Sequence, residues 1–304
     1  MSSVRVSILI PNYNKEPYLE NTLNSILNQT FQDWECIFVD DRSTDGSLDV
    51  LRKFEQKDSR IKVLERPSEI PKGANFCRNY AFSQSQGELI QWFDSDDEMY
   101  PWYLERKVHF LQENPEFQLV VSKGELKFEK GFTGNRKFQQ NFSTEDPIED
   151  YLKFRLVFFT AGPLVRRSVF EAIGLFNLKL RRHQEWELFF RVVLNHPSWG
   201  VIEEPSFLYL VNNNSITSRH QEKRKVAESE LVVFQQVLSL PIQNFKYKIS
   251  KKTRVSLSFK YLQVATYYGY YSYAFWYFNN LLKELVKKDS PILEIPKILE
   301  TTPV

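Results

Sequence analysis

Through its first 122 residues this chain alternates between two hydrophobic periods, and that alternation fixes its fold class more than any other feature. Short apolar runs rich in β-branched residues are each followed by apolar residues at helical spacing. Val4–Ile10, closed by Pro11-Asn12, predicts a buried strand, and Leu19, Leu23, Ile26 and Leu27 predict a helix over 17–28. Glu35–Val39 is a second strand, stopped by Asp40-Asp41, with a helix over 47–56 built on Leu48, Leu51 and Phe54. Arg60–Leu64 and a helix over 74–85 follow, the latter around Phe76, Tyr80 and Ala81. Glu88–Phe93 is strand four, and Phe117–Ser122 is strand five. Between them a helix over 101–113 opens with Pro101, where a missing N–H costs nothing. Strands alternating with helices in this way imply an α/β domain with a mostly parallel sheet flanked by helices on both faces.

Beyond residue 122 the alternation breaks. Residues 123–150, polar and containing Gly124, Gly131 and Gly134, read as a loop or hairpin excursion. Residues 160–215 mix short strands with one strong helix over about 184–195. From about 216 the chain reads as helical, ending in an aromatic stretch, YYGYYSYAFWYFNNLLKELVKK, that resembles the second half of a helical hairpin.

Several function classes fall away on composition. Forty Lys and Arg against 38 Asp and Glu leave a net charge of +2, without the basic excess of a nucleic-acid binder. Cys36 and Cys77 cannot form a disulfide framework and suit a reducing compartment. No stretch has the about 20 predominantly apolar residues of a spanning helix, and the start lacks signal-peptide features. The expected location is cytoplasmic.

In open parallel sheets, ligands bind beyond the carboxyl ends of the strands. Those positions hold Pro11-Asn12-Tyr13-Asn14, Asp40-Asp41 and Asp94-Ser95-Asp96-Asp97. Five carboxylates at one sheet edge repel one another unless a cation, basic side chains or donor hydroxyls are brought in. Oxygen-only ligands favour Mg²⁺ or Mn²⁺ over zinc. Each piece alone reads equally as a turn plus a helix cap; two acidic clusters, each directly after an apolar strand, point to a ligand site. No GxGxxG or GxxxxGK[ST] occurs, which weighs against a dinucleotide dehydrogenase and a P-loop NTPase.

The opening VSILIPNYNKEPYLENTLNSILNQTFQDWECIFVDDRSTDGS resembles that of family 2 glycosyltransferases, inverting enzymes with the GT-A fold. Gly73-Ala74-Asn75-Phe76-Cys77-Arg78-Asn79 and GELIQWFDSDD (87–97) are similar to further family segments. So is Gly174-Leu175-Phe176-Asn177 followed by Gln184-Glu185-Trp186-Glu187-Leu188. The resemblance covers about residues 1–215, with 1–122 as the nucleotide-sugar-binding half and 123–215 as the acceptor half. It implies a nucleotide-diphosphate sugar as donor and a glycan or lipid-linked acceptor, in cell-surface polysaccharide synthesis. It also implies that Pro11, Tyr13 and Asn14 flank the nucleotide, Tyr13 by stacking, and that Asp41 or Asp40 accepts a hydrogen bond from the base. Arg78 would contact base or diphosphate, Asp94 and Asp96 the nucleotide sugar, and Asp96 with Asp97 the Mn²⁺ or Mg²⁺; the metal pair can also be counted as Asp94/Asp96. Arg42 and Arg66 read as surface arginines rather than phosphate contacts. Leu210 and Asn212 stand where related enzymes often carry Arg and His.

Single displacement with inversion needs one carboxylate as general base and no second one as nucleophile. Glu185 stands where the family has Asp and is the expected base. Glu187 pairs with Arg191 at i,i+4 and reads as structural. Trp186 fits either the core or a sugar platform. Four histidines without an i,i+4 pair make a zinc site an unsuitable reading.

For 216–304 two readings stand. Apolar stripes at Leu231, Val232, Phe234, Val237, Leu238, at Leu257, Phe259, Leu262, Val264, Tyr267, Tyr268, and at Phe275, Trp276, Phe278, Leu281, Leu282 suit packed helices. They also suit peripheral contact with the inner face of the cell membrane, with Lys246, Lys248, Lys251, Lys252 and Arg254 meeting anionic lipid. The competing functions are a nucleotide-sugar or glycan binding protein without catalysis, and a nucleotidyltransferase. The latter should show a glycine-rich basic loop after strand one, which PNYNKEP is not.

Overall fold

A computed structural model describes residues 5–132, 140–180, 182–212, 223–240 and 249–286. The chain divides into two compact units, residues 1–179 with 184–220, and residues 180–183 with 221–304.

The first unit begins β1 (Val6–Asn12), α1 (Glu16–Leu27), β2 (Trp34–Asp40), α2 (Ser47–Lys57), β3 (Ile61–Glu65), α3 (Ala74–Ser83), β4 (Leu89–Trp92). It continues β5 (Glu98–Met99), α4 (Tyr103–Glu113), β6 (Leu119–Phe128), α5 (Pro147–Leu152), β7 (Pro163–Arg166), α6 (Arg167–Ile173), α7 (Gln184–Asn195), β8 (Gly200–Val211). All eight strands join one sheet in the order β3-β2-β1-β4-β7-β6-β8-β5. The pairings β1–β2, β2–β3 and β1–β4 are parallel, as the alternating periods require. Past β4 the sheet becomes mixed: β7 runs antiparallel to β4 and β6, while β6 and β8 are parallel. β1 and β2 are buried almost throughout, which is why they read as continuous apolar runs rather than alternating ones. The core gathers Ile8, Ile10, Leu23, Ile26, Phe38, Leu51, Phe54, Phe93, Tyr103 and Phe207 between sheet and helices.

Past residue 92 the structure departs from the sequence expectations: α6 (Arg167–Ile173) adds a second helix within 160–215, where short strands and a single helix are expected. Residues 123–128 are not a loop but the second half of β6, paired with β8 from Gly124 to Phe128. Sheet pairing overrides their polar composition, because strand preference is set by neighbours more than by residue type. The brief strand β5 pairs with Phe207 and Leu208 of β8 and has no periodic signature at two residues.

The second unit holds α8 (Lys223–Ser239), α9 (Lys251–Tyr267) and α10 (Tyr271–Val286). α9 closes at Gly269, whose φ of 73° is left-handed; Gly269 N–H donates to the Thr266 carbonyl and Tyr270 N–H to the Ala265 carbonyl. That Schellman turn starts α10 and completes a helical hairpin. Leu231, Phe234 and Val237 of α8 are buried, with Phe234 stacked on Tyr261 at 4.3 Å between ring centroids. The α9 face that packs is Leu257, Ser258, Tyr261 and Ala265, at true helical spacing; Tyr267 of the expected stripe is exposed. On α10, Tyr277 and Glu284 are buried, whereas Tyr271, Phe275, Phe278, Leu282, Leu285 and Val286 form an exposed row. Arg254 is buried and paired with Glu284 at 3.0 Å, so it is withdrawn from the basic cluster. Lys246 and Lys248 lie outside the described residues. Among the described residues no helix is long and apolar enough to cross a membrane.

Candidate active site

Because β1 lies between β2 and β4, the segments after these three strands meet at one rim. With strands about 4.8 Å apart, the ends of β2 and β4 stand roughly 10 Å from each other across β1. The segment after β1 turns through Asn14, at φ 50°, and Asn14 bonds the segment after β2 through Ser43 and Thr44. Asp40 is buried and accepts from Asn12 Nδ2 (2.7 Å), Ser43 Oγ (2.6 Å) and Ser43 N–H (2.8 Å). Pro11 ends on β1, and Tyr13 stays 40% exposed with the Lys72 ammonium 3.6 Å above its ring centroid.

Asp41 is buried against Arg66, and its second oxygen accepts from Gly73 N–H at 3.0 Å. Arg66 is thus no surface arginine, as sequence reasoning held it to be, but 8% exposed. It also donates to the carbonyls of Pro67 and Ile70 and organises the segment before α3. Arg42 is exposed. Burial, with the Asp41 charge adding to it, pushes the Cys77 thiol up to about 12, so it stays protonated.

Among the described residues, two cations, Arg78 and Lys15, meet the acidic turn after β4. Arg78 is buried on α3, donates to Asp94 Oδ1 at 2.7 Å, and donates to Gln184 Oε1 at 3.2 Å. This guanidinium draws the start of α7, where Glu185 is half-buried, towards the rim. Lys15, at the N-terminus of α1, pairs with Asp96. Thr22 of α1 fixes the turn by donating to the carbonyls of Ser95 (3.2 Å) and Asp97 (2.8 Å). Asp97 is 2% exposed; Oδ1 accepts from Leu210 N–H at 3.0 Å, and Oδ2 has no partner among the described residues. Burial, helped by the charges of Asp96 and Asp94, raises the Asp97 carboxyl well above the ordinary range. Burial also raises Asp96, against the opposing charge of Lys15.

An unpartnered buried carboxylate oxygen beside two further carboxylates fits a hard divalent cation. Among the described residues no three His, Cys, Asp or Glu side chains cluster tightly enough to hold a metal by themselves. The remaining ligands would be diphosphate and water oxygens, the habit of Mg²⁺ at phosphate sites.

Glu187 is buried and bound twice by Arg191, through Nε (2.9 Å) and Nη2 (3.0 Å). Arg191 also donates to the carbonyls of Ile173, Gly174 and Leu175, so this pair ties α7 to the end of α6. Trp186 is 2% exposed and stacks on Phe154 and Phe190, which places it in the core. Lys15 and Gln184 escaped sequence reasoning: each acts through a partner far along the chain, 81 and 106 residues away.

Residues 7–174 match the family described as glycosyl transferase family 2. A Bacillus subtilis (strain 168) protein named as a glycosyltransferase, EpsH, is 30% identical over 261 residues, covering 83% of this chain and 73% of EpsH. Poly(ribitol-phosphate) beta-glucosyltransferase of Bacillus spizizenii is 36% identical over 162 residues, 53% of this chain and 24% of that protein. The chain therefore spans about a quarter of that relative's length. Among solved structures, Staphylococcus aureus TarS 1-349 in complex with UDP-GlcNAc superposes with a TM-score of 0.64 at 20% identity, over 86% of this chain and 72% of that one. The mannosyltransferase PcManGT of Pyrobaculum calidifontis, with GDP-Man and Mn²⁺, superposes at 0.57 and 16% identity, over 92% and 73%. The sheet order, the acidic turn after β4 and a family match over more than half the chain converge: this chain belongs to glycosyl transferase family 2, and it is a glycosyltransferase of GT-A fold.

Proposed function

We propose that the chain moves a sugar from a nucleotide-diphosphate donor to a hydroxyl of a glycan or lipid-linked acceptor, with inversion and assisted by Mn²⁺ or Mg²⁺. The pathway would be synthesis of lipopolysaccharide, capsule or exopolysaccharide. The observation that carries the reading is Arg78, which joins Asp94 at the rim to Gln184 beside Glu185. It brings a carboxylate able to take a proton towards the carboxylates suited to a nucleotide diphosphate.

In this reading residues 1–122 bind the donor and 123–215 face the acceptor. Tyr13 stacks on the base, with Pro11 and Asn14 shaping the edge of its pocket. Asp40 and Asp41 hold the loops that form that pocket, and Asp41 offers its carboxylate to the base. Arg78 contributes positive charge near the diphosphate. Asp96 and Asp97 hold the cation, with Asp94 alongside. A bound divalent cation supplies charge neutralisation for the departing diphosphate. Glu185 takes the proton of the acceptor hydroxyl as that hydroxyl oxygen bonds to the anomeric carbon and the nucleoside diphosphate departs from it, a contribution of about 10²–10⁴ in rate.

The exposed α10 row supports peripheral contact of the C-terminal helices with the inner membrane face, where a lipid-linked acceptor would reside. An unpaired apolar row of six side chains is more than scattered surface residues. Lys252 and Lys260 are exposed basic residues on α9 of the same unit.

The test is a thermal-shift screen of nucleotide diphosphates with Mn²⁺, followed by an assay for nucleotide released from the matching donor sugar. A raised melting point and release abolished in Asp96→Ala are expected. No shift with any nucleotide, or full turnover in Asp96→Ala, would end the metal-assisted reading. Flotation of the full chain with anionic liposomes tests the membrane contact separately.

A further inference from the structure

Lys15 is held at its backbone by three hydrogen bonds and at its tip by one oxygen partner among the described residues, Asp96. Its N–H donates to Ser47 Oγ at 2.9 Å, and its carbonyl accepts from the N–H of Tyr18 (2.9 Å) and Leu19 (3.2 Å). The Cα is thus fixed where the β1 segment enters α1, next to the candidate base-binding residues. From there the side chain, 28% exposed, reaches Asp96, with its ammonium 5.6 Å from the Tyr18 ring centroid. Arg78, the other cation at the acidic turn, is buried and tied at both ends, to Asp94 and Gln184. Lys15 is therefore the cation that can leave. Its four-carbon stem has rotatable bonds, and an ammonium is a point charge that exchanges one oxygen partner for another readily.

Charge balance says when it leaves. With all three carboxyls ionised, as holding a divalent cation requires, Asp94, Asp96 and Asp97 set against Arg78 and Lys15 leave one negative charge among the described residues. A divalent cation added beside both would leave one positive charge; a divalent cation in place of Lys15 leaves none. We infer that Lys15 and the divalent cation compete for Asp96, and that the displaced ammonium turns to the phosphates of the nucleotide. This rests on the metal-assisted reading above. It makes metal and nucleotide binding mutually reinforcing, because the diphosphate gives the displaced ammonium a new partner. The coupling must be equal in both directions.

Mn²⁺ binding to the full chain, followed by electron paramagnetic resonance with and without UDP, tests this without measuring turnover. Wild type should bind Mn²⁺ weakly alone and more tightly with UDP. Lys15→Gln should bind Mn²⁺ about tenfold more tightly without UDP, the scale of one lost charge-assisted contact, and show a smaller gain on adding UDP. Lys15→Arg, which keeps a cation there, should stay near wild type. Melting curves check that each variant is folded. Lys15→Gln binding Mn²⁺ no more tightly than wild type, or too weakly to detect, overturns the competition. Asp96→Asn separates the two readings: unchanged Mn²⁺ affinity in that variant overturns the metal site itself, whatever Lys15→Gln does.

Discussion

Glu185 and Glu187 stand two residues apart on α7 and should respond to substitution in opposite ways. Glu187 is 2% exposed and Arg191 6%, and Arg191 holds both carboxylate oxygens as well as three carbonyls at the end of α6. Glu187→Ala leaves a buried guanidinium without its counter-charge, which costs about 3–5 kcal/mol. For a folding unit of roughly 200 residues, each kcal/mol moves the melting temperature by about 2–4 °C, so a fall of roughly 6–20 °C is expected. Glu185→Gln keeps the side chain's size and its capacity to hydrogen-bond at a half-buried position, and should lower the melting temperature by no more than about 4 °C, well short of the Glu187→Ala effect. Turnover should show the reverse pattern. Assayed well below both melting points, Glu187→Ala should keep kcat within a few-fold, while Glu185→Gln should lower kcat by about 10²–10⁴. Nucleotide affinity should hold in both. A Glu187→Ala protein that melts normally yet loses a hundredfold or more in kcat would refute the assignment and make Glu187 the base.

Other outcomes follow from single groups. Tyr13→Ala should weaken UDP binding roughly 5- to 150-fold, the worth of one base–aromatic stack of about 1–3 kcal/mol, with the melting temperature unchanged because the ring is partly exposed. Calorimetric titration checks this, and unaltered affinity would move the base elsewhere. The Asp97 carboxyl sits well above its unfolded value because it is buried. The folded protein therefore binds more protons than the unfolded chain between those two values, and metal-free stability falls as pH rises through that window. Urea midpoints from pH 5 to 8 in chelator should decline for wild type and stay flatter for Asp97→Asn; equal slopes would contradict the burial argument. Gly87→Ala should abolish soluble expression, since a Cβ there would stand 2.6 Å from Ser7 N and 2.8 Å from the Arg5 carbonyl.

Much of residues 1–122 is legible in the sequence because its two periods, strand and helix, are clean. β1 to β4 and their helices need no long-range information to be recognised. The rim residues were legible as types following strands, and the roles of Glu187 and Arg191 as an i,i+4 pair. What stayed hidden depends on partners distant in sequence. Arg66 looked like a surface residue because Asp41, 25 positions earlier, becomes its neighbour only when β2 and β3 pair. Gly87, part of the family-like GELI segment, owes its place to the close approach of β1 rather than to a ligand. The buried face of α9 departs from the expected stripe because spacing rather than residue type sets it: Ser258 and Ala265 lie inward with Leu257 and Tyr261, and Tyr267 faces water.

The contacts that close the rim span long stretches of chain: Lys15 to Asp96 across 81 residues and Arg78 to Gln184 across 106. A nascent chain leaving the ribosome can pair β1 with β2 early, yet Arg78 has no Gln184 to grip until α7 has emerged. The proposed donor site is therefore complete only after well over half the protein has been translated, and a polypeptide released before α7 would display an acidic rim with its bridging arginine only half engaged.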